Sequence, residues 1–154
     1  GAGRMTIQDS MQAEVAARYQ PGFELPVFAK LVTQQVIDAY AEASGDFNPI
    51  HVDPDYAANG PFGQTIAHGL MTLAYAARML NDWSDGGFDE TGEIEVAFVG
   101  PVFAGDTIEV SAVVDELVMR GGRTNARCNL VCRCGERKIL AGTVYQPVDN
   151  KEVG

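Results

Sequence analysis

His68-Gly-Leu-Met-Thr-Leu-Ala-Tyr-Ala-Ala-Arg-Met-Leu80 decides the fold. The stretch reads as a helix that is apolar on nearly every side and carries one charge, Arg78. Such a helix cannot face water around its circumference and must be wrapped by the rest of the chain. It falls short of the roughly 20 apolar residues of a membrane span, so a core helix is the reading that fits. The chain beyond it is strand. Ile94, Val96 and Phe98 alternate with Glu95, Ala97 and Val99, and Ile108, Val110, Ala112 and Val114 line one face of a second run. In a third run, Ala126, Cys128, Leu130 and Cys132 alternate with Arg127, Asn129 and Arg133, a half-buried strand with a cationic outer face. Arg120-Gly-Gly-Arg123 and Gly135-Glu136 are turns between runs, and a last strand lies near Lys138–Gln146. Upstream, Leu25 to Val32 is a first strand. Thr33 N-caps a helix through Ser44, with a buried stripe of Val36, Ile37, Tyr40 and Ala43 or Ser44 and Gly45 as its C′ residue. One strand, helices, then antiparallel strands is an α+β pattern. An antiparallel sheet curled around one central apolar helix satisfies both periodicities.

Length and composition bound the rest. At 154 residues the chain is one domain with room for a core. Gly1-Ala-Gly-Arg4 before Met5 reads as a tag remnant, and residues 5–20 as a mobile or loosely docked arm without a clear apolar stripe. Residues 1–20 are therefore set apart from a single domain over 21–154. No run approaches a membrane span and no signal-peptide pattern opens the chain, so the expected place is the cytoplasm. Cys128, Cys132 and Cys134 are too few and too clustered for a disulfide framework, and no histidine lies near enough in sequence to complete a zinc site. They read as buried reduced thiols, which agrees with the cytosol. A net charge of −10 argues against a general nucleic-acid role. The charge is uneven: residues 80–116 hold ten acids and no Lys or Arg, whereas residues 119–140 hold six bases and one acid.

Both histidines of the chain fall in one short span. His51 closes Ala43-Ser-Gly-Asp-Phe-Asn-Pro-Ile-His51, five residues after Asp46, across a Gly45 and an Asn48-Pro49 that break helix and set a loop. A carboxylate and an imidazole on one short loop can both reach a single water, one as base and the other as orienter or acid. Spacing alone leaves a plain turn with a surface histidine equally open. Asn48 bonds its own backbone to fix the loop and is placed to help order a water. Asp53-Pro54 repeats a helix start, with an N-cap acid and proline at N1, for a short helix to about Asn59. His68 stands at the start of the central helix beside Gly69.

Tyr40-Ala-Glu-Ala-Ser-Gly-Asp-Phe-Asn-Pro-Ile-His-Val-Asp-Pro54 resembles the signature of the MaoC-like, (R)-specific enoyl-CoA hydratases, and so does Thr65-Ile-Ala-His-Gly-Leu-Met71. The similarity covers about residues 22–147. It implies the hot-dog fold, with Asp46 and His51 as the catalytic pair of a carbon–oxygen lyase. The implied reaction is reversible addition of water to a trans-2-enoyl thioester, giving the (R)-3-hydroxyacyl thioester. It involves no metal or redox cofactor; coenzyme A or acyl carrier protein is part of the substrate. The chemistry has three needs: a proton removed from water as it attacks C3, a proton delivered to C2, and a stabilised thioester oxygen. Asp46 and His51 supply the first two, imidazole being the side chain that exchanges protons most readily near neutral pH. Unpaired N–H groups at the start of the central helix supply the third, and Gly69, lacking a Cβ, lets a thioester approach closely. His68 is within reach of ligand but reads first as a packed, hydrogen-bonded residue. The alternatives are a hot-dog acyl-CoA thioesterase and a subunit of a heteromeric 3-hydroxyacyl-thioester dehydratase. Open sheet edges point to a homodimer or a dimer of dimers. The basic stripe of residues 120–138 is expected near the pocket entrance, reaching the phosphates of coenzyme A, with the acidic block facing away.

Overall fold

Alternating residues become a sheet only if their turns are right, and two glycines make the longest hairpin. Gly121 (φ 62°) and Gly122 (φ 75°) both occupy left-handed backbone, the requirement of a two-residue type I′ turn. They join β3 (Thr107–Arg120) to β4 (Arg123–Cys134), and Gly135-Glu136 turns β4 into β5 (Arg137–Pro147). In the computed structural model, which describes residues 3–149, two further strands complete the sheet: β1 (Phe28–Leu31) and β2 (Glu93–Phe98). The order is β1-β3-β4-β5-β2, antiparallel throughout. Gly1 and Ala2 of the expected tag remnant, and residues 150–154, lie outside the described span.

The inner face of the sheet holds Ile108, Val110, Ala112 and Val114 from β3, and Ala126, Cys128, Leu130, Cys132 and Cys134 from β4. Against it lies α5 (Gly69–Ser84), the hot-dog arrangement. α5 buries Met71, Thr72, Ala76, Met79, Leu80, Trp83 and Ser84, and it runs four residues beyond Leu80 before Asp85 ends it. Full wrapping, expected from composition, does not occur within the chain. Leu70 is 63% exposed, because a single sheet of this width reaches only one face of the helix.

All three cysteines are free and buried on the inner face, as the alternation requires. Burial pushes the Cys128 and Cys132 thiols up to about 12. A bulge at Asp115 shifts the register between Val114 and Glu116, so that Leu117 takes over the inward position and packs on the core.

α2 (Gln34–Ser44) begins as its sequence dictates: the Thr33 hydroxyl accepts from the Val36 amide. Its buried residues are Ile37 and Ala41; Ala43 and Ser44 are exposed, since the helix rolls one position relative to the expected stripe. β1 is shorter than expected. Leu25 donates its amide to Ala112, but Pro26 has no N–H to continue the ladder. The N-terminal arm forms α1 (Ile7–Ala17) and is anchored at its end. Tyr19 is buried with its ring 5.1 Å from that of Trp83. Trp83 Nε1–H donates to the Arg18 carbonyl at 2.9 Å and Arg18 Nη1 donates to the Trp83 carbonyl at 3.1 Å.

The charge blocks do not separate as expected. Arg120 pairs with Glu93 at 2.8 Å, Arg127 with Asp115 and Glu116 at 2.7 and 2.8 Å, and Arg137 with Asp106. Three arginines of the stripe are thus neutralised by carboxylates of the acidic block, which shares their sheet instead of facing away. No helix among the described residues is long and apolar enough to cross a membrane.

Candidate active site

The site begins where α2 ends. Gly45, at φ 77°, returns its amide to the Ala41 carbonyl and reverses the chain, placing Asp46 beyond the helix end with its side chain 54% exposed. Two short hydrogen-bonded turns hold it there: Asp46 N–H donates to Ser44 Oγ, and Asn48 N–H donates to Asp46 Oδ1, both at 3.2 Å. Asn48 Oδ1 then accepts from the Ile50 amide at 3.2 Å, which makes Asn48 the N-cap of α3 (Pro49–Val52). His51 therefore stands on one turn of helix, not in a loop. Asp53 caps the next helix, α4 (Pro54–Ala58), by accepting from the Asp55 and Tyr56 amides.

His51 Nδ1 lies 2.8 Å from the Ile66 carbonyl oxygen. A carbonyl can only accept, so Nδ1 carries the proton and Nε2 of the neutral ring is a bare acceptor. Nε2 faces Asp46 Oδ2 at 3.8 Å. That separation is too long for a direct hydrogen bond and short enough for one water to donate to both acceptors. The imidazole side chain is only 12% exposed, and Nε2 is the ring nitrogen turned toward the carboxylate.

His68 braces this arrangement. Its ring stacks on His51 with centroids 3.9 Å apart and meets Tyr40 at 4.8 Å, and its Nε2–H donates to the Asp46 backbone carbonyl at 3.0 Å. It is buried, and it occupies the N-cap position of α5 without a capping hydrogen bond. Asp46, His51 and His68 are also the one group of possible metal ligands among the described residues, with ligand atoms within 4.8 Å of one another. His51 Nδ1 and His68 Nε2 are committed to carbonyls, which leaves His51 Nε2 and the buried, unpartnered His68 Nδ1 as the free ring nitrogens.

Gly69 is the first residue of α5, where N–H groups have no intrahelical acceptor and the helix dipole is positive. It opens on a cleft of about 400 Å³ lined by Phe62, Ile66, Thr72, Phe98, Val99 and Val102 among others. A Cβ at Gly69 would come within 3.1 Å of the Phe98 ring, so the glycine is what lets the strand end and the helix start share this space. Asn48 lines a separate cleft of about 420 Å³ with Tyr56, Phe62 and Gln64.

Of the residues singled out from sequence, Asp46, Asn48, His51 and His68 are joined by direct contacts. Gly69 follows His68 in the chain but opens on a cleft that none of those four lines. Sequence reasoning missed Gln34 and Thr65, which bond to each other and, through Gln34, to the backbone of His51. Thr65 stood inside the second motif, but without an assignable role.

Fold and site together define a hot-dog protein in which Asp46 and His51 face each other beside His68, the residue that opens the central helix. The chain belongs to the MaoC-like dehydratase family: the family model described as MaoC like domain matches residues 11–130. A 3-hydroxybutyryl-CoA dehydratase of Methylorubrum extorquens is 33% identical over 130 residues, 82% of this chain and 79% of that protein. The 3-hydroxyacyl-thioester dehydratase Z of Mycobacterium tuberculosis is 56% identical over 48 residues, 31% of this chain and 32% of that one. Among solved structures, an (R)-hydratase from A. caviae involved in PHA biosynthesis superposes with a TM-score of 0.70 at 25% identity, covering 84% of this chain and 97% of that one.

Proposed function

We infer that this protein hydrates the double bond of a trans-2-enoyl thioester to the (R)-3-hydroxyacyl thioester, and catalyses the reverse dehydration. The observation that carries the reading is the bare His51 Nε2 facing the Asp46 carboxylate at 3.8 Å, one residue pair able to hold one water by both its hydrogens. As the water oxygen bonds to C3, one of the pair takes its proton, and a proton passes from the pair to C2. The pair ends in the protonation state in which it began. Negative charge developing on the thioester oxygen is received by the Gly69 amide at the positive end of α5. Asp46 and His51 are the catalytic residues, Gly69 the oxyanion donor, Asn48 the residue that fixes the carboxylate loop, and His68 the brace beneath both. The names of the relatives favour a coenzyme A or other carrier thioester as substrate, and the reading calls on no metal or redox cofactor.

The working unit in this reading is a homodimer or a dimer of dimers. β2 is an edge strand, and beside it Phe98, Val99 and Leu70 are each more than half exposed. A second copy pairing at that edge would cover them.

Crotonyl-CoA tests the reaction. Loss of the conjugated-bond absorbance without release of free thiol is the expected result; thiol release would make the protein a thioesterase. Asp46→Asn keeps the Oδ1 that caps the loop, and His51→Ala removes the imidazole; both should fold and lose at least about 100-fold in turnover. Near-normal hydration by either variant would remove the mechanism. Light scattering of an active monomer would remove the dimer.

A further inference from the structure

His51 is held at both ends of the residue by one closed circuit of hydrogen bonds. Gln34 opens α2, and its amide nitrogen donates to the His51 carbonyl at 2.8 Å and to Asp38 Oδ1 at 2.9 Å. Two acceptors on one side fix which way the amide faces, so its oxygen is left to accept from Thr65 Oγ1, at 2.6 Å. Thr65 is buried, and the next residue, Ile66, supplies the carbonyl that receives His51 Nδ1–H at 2.8 Å. The Ile66 amide returns to the Ile50 carbonyl at 3.1 Å. The path thus runs from the His51 carbonyl through Gln34 and Thr65 to Ile66 and back to the His51 ring.

The turn that carries His51 needs such support. α3 is four residues long, too short to hold itself as a helix. The carbonyls of a last turn have no intrahelical partner, and that of His51 finds one from α2. The job demands a donor and an acceptor on one rigid planar group, which glutamine provides and glutamate does not.

We propose that Gln34 and Thr65 are positioning residues that fix the tautomer and orientation of the His51 imidazole, so that Nε2 stays bare and aimed at Asp46. The catalytic consequence rests on the hydratase reading; the geometric one does not. Neither side chain is needed to bind a thioester, so their loss should appear in kcat and leave KM unchanged. A reacting group misplaced by about 1 Å costs up to roughly 100-fold in rate.

The test uses Gln34→Met, Gln34→Glu, Thr65→Val, Thr65→Ser and the Gln34→Met/Thr65→Val pair, with thermal melts to establish that each folds. Gln34→Met, Gln34→Glu and Thr65→Val should each lower kcat by about 10-fold or more with KM unchanged. Thr65→Ser keeps the hydroxyl and should stay near wild type, and the double variant should be no worse than the worse single one. Nitrogen NMR of labelled histidine gives a readout free of activity: His51 should show one Nδ1–H tautomer in the wild type and a mixture in the three damaged variants. If that mixture appears but the wild type hydrates no enoyl thioester, the clasp stands and the hydratase reading falls. An unchanged tautomer, a Thr65→Ser as impaired as Thr65→Val, or losses that multiply in the double variant would overturn the clasp.

Discussion

At Gly69 the backbone N–H can be removed without breaking a helical hydrogen bond, provided the Phe98 ring gives way. Gly69 is the first helical position of α5, where proline is favoured because its missing N–H has no intrahelical acceptor. The preceding His68, at φ −66° and ψ 134°, already has the backbone that a following proline demands. Gly69→Pro should therefore keep the melting temperature within a few degrees of wild type, with the Phe98 ring moving slightly aside, while hydration falls by about 100-fold or more. A folded and fully active Gly69→Pro would place the oxyanion donor elsewhere. The closeness of Asp46 and His51 was legible because they lie five residues apart on a turn set by a glycine and a proline. Spacing alone left a plain turn equally open, and only the motif's resemblance to a family singled the pair out. Gln34 was not legible, since a glutamine in the first turn of a helix looks like any solvated residue. Beyond Asp38 in its own helix, its partners His51 and Thr65 lie 17 and 31 residues away, and only the fold brings them together.

Among the elements, the long hairpin and the β2 edge were legible to different degrees. The hairpin announced itself through paired glycines, and left-handed backbone at Gly121 is a position that asparagine also accepts. Gly121→Asn should hold or raise the urea midpoint, whereas Gly121→Val should lower stability by about 1–3 kcal/mol. Gly142 gave no such signal. It lies in β5 opposite Val96, and a Cβ there would land against the Glu95 carbonyl oxygen, so β2 approaches closely only because the side chain is absent. Gly142→Ala should loosen β2, seen as faster amide exchange in residues 93–98 than in β3 or β4. The bulge at Asp115 was equally hidden, because strict alternation carries no mark of the residue at which it changes phase. The buried thiols add a pH dependence of definite sign. Their folded values are raised from 9.0 to about 12, so the unfolded chain releases its thiol protons first, and stability should be lost as pH rises from 9.0 toward 12. Urea midpoints measured across that range check it; a flat profile would contradict the burial of both sulfurs.

For the whole molecule, the linear charge blocks misled for a topological reason. β3 folds back on β4 in register, which sets Glu116 opposite Arg127 and Glu109 opposite Arg133. Segments that look like an acidic half and a basic half are therefore neighbours across a ladder. Each exposed pair contributes little alone, because water and salt screen it, but reversing one partner leaves like charges crowded together. Arg127→Glu would set a third carboxylate beside Asp115 and Glu116. It should lower the urea midpoint, more at low salt than at high, with little change in the KM for an enoyl-CoA. A large KM increase without loss of stability would restore the stripe as a phosphate site.

Trp83 is the only tryptophan in the chain, and it is buried where the N-terminal arm meets the end of α5. Its indole is therefore a built-in optical probe of one junction. Emission from the native protein should be blue-shifted and should redden when the arm lets go, whether or not the sheet has melted. Far-ultraviolet dichroism followed alongside would separate the two events, and a fluorescence transition preceding the dichroic one would give the undocking free energy of the arm directly.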